Sequence, residues 1–291
     1  MAEKDLTEKI LEDYNDVFAD IINVLLFNGE QRIKPNSLKA ASPHSQYRND
    51  ESKIREMERD VIKNWTDDDN CNINIAVCGI ENQTKIEKLM PLRIFGYEGA
   101  SYRSQVTKIT NKEWKYPVPV VTLVLYFGEE HWNQPKTLKE LLDIPDGLDE
   151  YVNDQKINVF EISWLTDEQL SMFQSDFGIV AKFFVEKRKN PDYEPNDIRE
   201  INHVDEVLKL LSVMTHDNRY IDLEKNGEGR RIHNMCDVAD RLEGKGVMNE
   251  KQATIRRMIR EGIKDLDMIA RISQTDIETV QKIESEMLQP N

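Results

Sequence analysis

"INIAVCGIENQTKIEKLMPLR", Ile73 to Arg93, begins as a buried strand and ends as a buried strand should not. Side chains alternate along a strand with period 2. Ile73, Ile75 and Val77 therefore share one side, and the same parity continues through Gly79 to Glu81 and Gln83. A carboxylate and an amide emerge on the very side that the apolar residues bury. After them Pro91 suits the first position of a helix running to about Thr107, on which Arg93 and Tyr97 lie one turn apart on a shared face, with Gln105 further along.

Upstream, "KIREMERDVIKNW" (residues 53–65) is ambiguous. Ile54, Met57, Val61 and Trp65 fit a helix, while the end reads equally well as a strand. The next residues, "TDDDNC", have the composition of a turn and separate two runs of hairpin length. If the runs pair around Asp68, Asp60 lies across from about Gly79 to Glu81, and opposed side chains in such a ladder stand about 5 Å apart. On that strand Lys63 would face the opposite side from Asp60.

The remaining chain is read outward from this pair. Residues 5–27 have helical apolar spacing and are stopped by Asn28-Gly29, and residues 34–52 read as a polar loop. "YPVPVVTLVLYFG" (Tyr116 to Gly128) and "KINVFEISWL" (Lys156 to Leu165) read as buried strands. Helices are expected over 166–189, 200–215 and 230–242, with two more after 250. "NGEG" (226–229) and "GKG" (244–246) read as flexible joints. The order implies an α/β core over residues 1–190 and a helical C-terminal region over 191–291.

Composition bounds the function. The 291 residues carry 39% hydrophobic and 32% charged side chains, an ordinary globular balance. No apolar run approaches the roughly 18 residues of a spanning helix, so no membrane role is expected. The acidic "MAEKDLTEKI" start lacks the apolar segment of a signal peptide. Cys71, Cys78 and Cys236 form neither a disulfide framework nor a CxxC pair, which points to reduced thiols in a cytoplasmic protein. A net charge of -15 argues against nucleic-acid binding by bulk electrostatics, although a local basic groove or bound metal ions reverse that locally.

Asp60 and Glu81 held a few ångströms apart would repel unless a cation joined them. Mg²⁺ takes oxygen ligands, typically one or two carboxylates with waters and phosphate oxygens, and polarises a phosphodiester. A third group then orients the water; lysine does so with full charge, glutamine only through hydrogen bonds.

This arrangement resembles the PD-(D/E)xK nuclease superfamily, and within it the recombination-promoting nuclease (Rpn) family, also labelled transposases. The resemblance rests on "ERDVIKNW" (58–65), "GIENQT" (79–84), "MPLRIFGYEGASYRSQ" (90–105), "YPVPVVTLVLYFG", His131-Trp132 and "DEQLSMFQSDFGIVAKFF" (167–184). It implies a restriction-endonuclease-like core of helix, antiparallel strand meander, helix and strand, and it favours the strand reading at 53–65. It also implies Mg²⁺-dependent cleavage of DNA, in recombination or mobile-element biology, with Asp60 and Glu81 as metal ligands. Gln83 stands where the superfamily usually has lysine. Asp20, on the first helix, is a candidate further metal ligand or simply a polar position on a buried helix. Arg93 and Tyr97 are candidates for positioning the substrate strand, or else a structural ion pair and a core tyrosine. His131 reads more simply as a turn-stabilising residue.

The tail "IREGIKDLDMIARISQTDIETVQKI" (259–283) has a helix-turn-helix pattern. Asp276, Glu278, Glu284 and Glu286 would repel phosphate, so packing or self-association suits it better than DNA reading. The competing functional class is a catalytically weak or inactive nuclease-fold binding protein, which the acidic balance and the missing lysine favour.

Overall fold

The computed structural model describes residues 10–41, 44–48, 54–58, 60–67, 74–107, 116–225 and 231–288. The helix start at residue 5, the turn at Asp68, Cys71 and the "NGEG" joint lie outside them.

The expected first helix is two: α1 (Ile10–Asp13) and α2 (Asn15–Phe27), separated by Tyr14 in an extended conformation. Tyr14 stacks on His203 at 3.8 Å between ring centres and donates its hydroxyl to Glu206 at 3.0 Å. Leu11, Val17, Phe18, Ile21 and Ile22 are all essentially buried, as the spacing requires. Asn28, left-handed at φ 53°, and Gly29 at φ 87° end α2 where the sequence placed the stop.

The segment read as a polar loop instead holds two strands, β1 (Leu38–Ala40) and β2 (His44–Arg48). Their pairing uses the backbone, so polar side chains concealed it; only Leu38 of β1 is buried. The ambiguous segment is strand, as β3 (Ile54–Glu58) and β4 (Val61–Thr66), followed by β5 (Asn74–Gln83). β2 and β3 pair with each other as a separate two-stranded sheet.

Beyond β5 come α3 (Met90–Thr107), β6 (Val120–Tyr126) and β7 (Asn158–Glu161). The main sheet has the order β1-β4-β5-β6-β7. Its β1–β4 and β4–β5 joints are antiparallel, and its β5–β6 and β6–β7 joints are parallel. Three adjacent antiparallel strands are therefore present, but the β2–β3 hairpin interrupts them along the chain. α3 makes the crossover that a parallel β5–β6 joint needs. The result is a mixed sheet flanked by helices.

Parity along β5 sorts its neighbours. Ala76, Cys78, Ile80 and Asn82 share a side with Lys63 of β4. Lys63 is buried there, donating to the Asp13 carbonyl at 2.6 Å and pairing with its carboxylate at 3.1 Å. On the opposite side Ile62, Val77 and Val120 cluster. Nearer the strand ends Met90, Ile94 and Tyr97 of α3 pack with Val124, Tyr126, Trp132 and Ile157.

After a single 3-10 turn at Ile162–Trp164, the expected helix over 166–189 divides into α4 (Asp167–Met172) and α5 (Phe177–Lys189). Thr166 and Gln169 close a capping box on α4. Asp20 takes the N–H groups of Gln174 and Ser175 in the gap, at 2.9 and 2.7 Å, and Asp176 takes those of Asn202 and His203. α6 (Val204–Thr215) follows, then α7 (Asn218–Lys225), which the sequence reading did not foresee.

Residues 1–193 and 201–230 form one compact unit and residues 194–200 and 231–291 a second, so α6 and α7 go with the sheet. The second unit holds α8 (Met235–Arg260), α9 (Leu266–Ser273) and α10 (Ile277–Leu288), closed around Ile255, Ile269, Val280 and Ile283. Gln274, left-handed at φ 52°, makes the expected break between α9 and α10. The "GKG" joint is a correction: Gly244 and Gly246 lie inside α8. Strong helix formers on both sides (Leu242, Glu243, Lys245, Met248) and the Asn234 cap carry the helix across them.

Candidate active site

β4 and β5 pair with Val61 opposite Ile80 and Ile62 opposite Gly79. Extending that register by one residue sets Asp60 opposite Glu81. The Asp60 carboxylate accepts the Asn82 N–H at 2.7 Å, which ties it to the end of β5. Glu81 is wholly buried, its side chain only 1% exposed. Gln83, two residues on and on the same side, donates its amide to Glu81 Oε1 at 3.2 Å.

From α3, Arg93 reaches the same Glu81 oxygen in a close ion pair, donates to the Tyr97 hydroxyl at 2.8 Å and pairs with Glu87 at 2.9 Å. Burial works to lower the Arg93 pKa, and the charge of Glu81, the hydrogen bond to Tyr97 and the charge of Glu87 outweigh it, so the guanidinium is held firmly charged. The Tyr97 phenol is pushed up by burial and by the charges of Glu81 and Asp60, against the lowering effect of Arg93. One hydroxyl thus senses both acids, and it stays neutral near pH 7.

Asp20 is elsewhere in its bonding: its described contacts are the two N–H groups of the α4–α5 gap. Gln105 clamps Val118, accepting its N–H and donating to its carbonyl. His131 pairs with Glu161 at 2.7 Å and stacks on Trp164 at 3.7 Å, a fastening of the segment after β6. Lys63 faces away from Asp60 and toward α1, as parity required.

Two residues at the site were not singled out from the sequence. Asn82 fixes Asp60 through its backbone, and its side-chain amide donates to Glu12 of α1 at 3.2 Å. Glu12 is a fully buried carboxylate. The available signal was parity: Asn82 between Glu81 and Gln83 must face the opposite side of β5 from them, the side of Lys63 and α1, where a polar group needs a buried partner.

The donor set is two carboxylates and an amide, all hard oxygen donors, which suits Mg²⁺ with its remaining positions on water or phosphate. No group of three or more His, Cys, Asp or Glu placed to hold a metal occurs among the described residues. No helix among them is long and apolar enough to cross a membrane.

Residues 51–194 match the family model described as "Putative transposase, YhgA-like". Over those residues the chain belongs to this family. No curated protein and no solved structure matches the chain. The YhgA-like region contains Asp60, Glu81, Gln83, Arg93 and Tyr97; it excludes Glu12 and Asp20 and all helices from α6 onward.

Proposed function

We propose that this YhgA-like protein is a divalent-metal-dependent DNA endonuclease with a PD-(D/E)xK core, acting in the cytoplasm. The observation that carries the reading is the convergence of Asp60 and Glu81 on adjacent strands, with the Tyr97 hydroxyl under the influence of both charges. Asp60 and Glu81 would hold the ion, Mg²⁺ by the chemistry of the donors, and the bound ion supplies charge neutralisation at the phosphodiester and a more acidic water. Asp60 is oriented by the Asn82 N–H, and Glu81 by Gln83 and Arg93. Gln83 orients the attacking water through its amide. Arg93, half exposed beside the acids, gives the incoming phosphate a positive partner, and the neutral Tyr97 hydroxyl offers a hydrogen bond to it.

The test is nicking of supercoiled plasmid by purified protein with Mg²⁺ or EDTA, beside Asp60→Ala and Glu81→Ala. Both variants are expected to lose metal-dependent nicking while keeping the helical circular dichroism of the wild type. Activity that survives in both would refute the assignment. Gln83→Lys is expected to keep or raise the rate, since an ammonium stabilises more charge than an amide.

One observation favours a non-catalytic nuclease-fold binding protein: Arg93 already neutralises Glu81. A wild-type chain that takes up no Mg²⁺ or Mn²⁺ by calorimetry and nicks nothing would select that reading.

A further inference from the structure

A second feature lies just past the acids, within the sheet-bearing unit. A cleft of about 560 Å³ opens at the C-terminal ends of the parallel pair β5 and β6, and it begins at Thr84, next after Gln83. The Phe127 N–H bonds to the Gln83 carbonyl at 2.8 Å, so the floor of the cleft is fastened to the same strand end. Its size falls in the roughly 300–1,000 Å³ range of small-ligand sites, and crevices at the carboxyl ends of parallel strands are where such ligands bind.

The cleft's charge contrasts with that of the whole chain. Lys85, Lys187 and Arg188 line it, with Glu129 and Glu130 also present, so it carries a small net positive charge in a protein of net charge -15. Lys187 donates to the Pro191 carbonyl. Arg188 is the informative group. Its guanidinium lies 3.7 Å from the centre of the Trp164 ring, whose other neighbour is the stacked His131, and its Nε donates to the Ser163 carbonyl at 2.8 Å. Among the described residues its terminal amino groups have no hydrogen bond and no ion pair. A partly buried arginine, immobilised by stacking and a carbonyl and left without an anion, is a preorganised receptor for phosphate. Ile86, Phe184 and Met214 supply an apolar wall beside it.

We propose that this cleft binds one phosphorylated nucleotide unit, with the phosphate on Arg188 and Lys85 and the base against the apolar wall. The ligand chemistry is a nucleoside monophosphate, either free or as the 5′-phosphorylated end of a DNA strand; the strand source rests on the nuclease reading, the binding itself does not.

The experiment titrates the full chain in EDTA with thymidine 5′-monophosphate, a 5′-phosphorylated hexathymidylate, the same strand without phosphate, and inorganic phosphate. The two phosphorylated nucleotide probes are expected to bind more tightly than either control. Arg188→Met and Lys85→Ala are each expected to weaken binding about tenfold, the loss of a charge-assisted hydrogen bond; Lys85 is exposed, so its variant tests the site without disturbing the fold. Tighter binding of the phosphorylated strand than of the mononucleotide supports the strand end, and equal binding supports the free nucleotide. Failure of both phosphorylated probes to bind, or unchanged affinity in both variants, overturns the proposal. Asp60→Ala and Glu81→Ala are expected to bind these probes normally in EDTA, so a failed cleavage reading and a failed cleft are told apart.

Discussion

Replacing Arg93 by methionine keeps an unbranched apolar stem and removes the guanidinium charge that faces Glu81. Removing one partner of a fully buried ion pair typically costs 3–5 kcal/mol, because the other charge is stranded. Here the pair is asymmetric, with Glu81 1% exposed and Arg93 35% exposed. Water already screens the arginine end, which discounts the cost to about 2 kcal/mol. For a domain of this size that is about 4–8 °C in melting temperature. The repulsion between Asp60 and Glu81 then has no resident cation to oppose it, so Arg93→Met should lose this stability in EDTA and regain it in Mg²⁺ or Mn²⁺. An ion at a hundred times its dissociation constant returns about 2.7 kcal/mol. Differential scanning fluorimetry of wild type and variant, with EDTA or with Mn²⁺, reads both effects. A variant as stable as wild type in EDTA would show that Arg93 does not neutralise Glu81. A loss that Mn²⁺ does nothing to repair would refute the claim that these acids share an ion.

Two further outcomes follow from buried groups. Burial raises the Asp20 carboxyl pKa above the ordinary value, against the opposing hydrogen bonds from Ser175 and Gln174. A carboxyl raised in the folded state contributes its stability below the unfolded pKa and loses it as pH rises through the folded one. The urea midpoint of wild type relative to Asp20→Asn should therefore fall as pH rises from about 4, the ordinary carboxylate value; a flat or rising difference would contradict the assignment. At Gly128, an added Cβ would overlap the ring and hydroxyl of Tyr126, which is buried and held edge-on by Trp132 at 5.3 Å. Gly128→Ala should lose about 1–3 kcal/mol in urea denaturation through overpacking, and an unchanged midpoint would mean that the ring has room to move.

Much of the sheet was legible because apolar runs and parity report burial directly. "VVTLVLY" could be little else than a strand covered on both sides, and the parity of β4 correctly separated Lys63 from Asp60. β1 and β2 were hidden because their pairing is made by backbone groups, which leave no signature in polar side chains. The division of 166–189 was hidden for a different reason: the N–H groups in its gap are satisfied by Asp20, far away in the chain. Glycines at 244 and 246 misled because propensity is local, whereas a helix is decided by the sum over its length. At the site, the sequence put Asp60 across from about Gly79 to Glu81, and the strand register narrows this to Glu81. The Arg93 and Glu12 contacts were not, since which side chain reaches across from a neighbouring helix depends on packing that one sequence does not print.

The two glycines inside α8 have a mechanical consequence. Each weakens the helix by about 0.5–1 kcal/mol relative to alanine, and nothing lies within 4 Å of the place where either would carry a Cβ. The waist of this 26-residue rod is therefore its stretch of lowest intrinsic helix propensity. An interior break would open the turns around residue 245, leaving one stub rooted in the Asn234 cap and another gripped at Ile255.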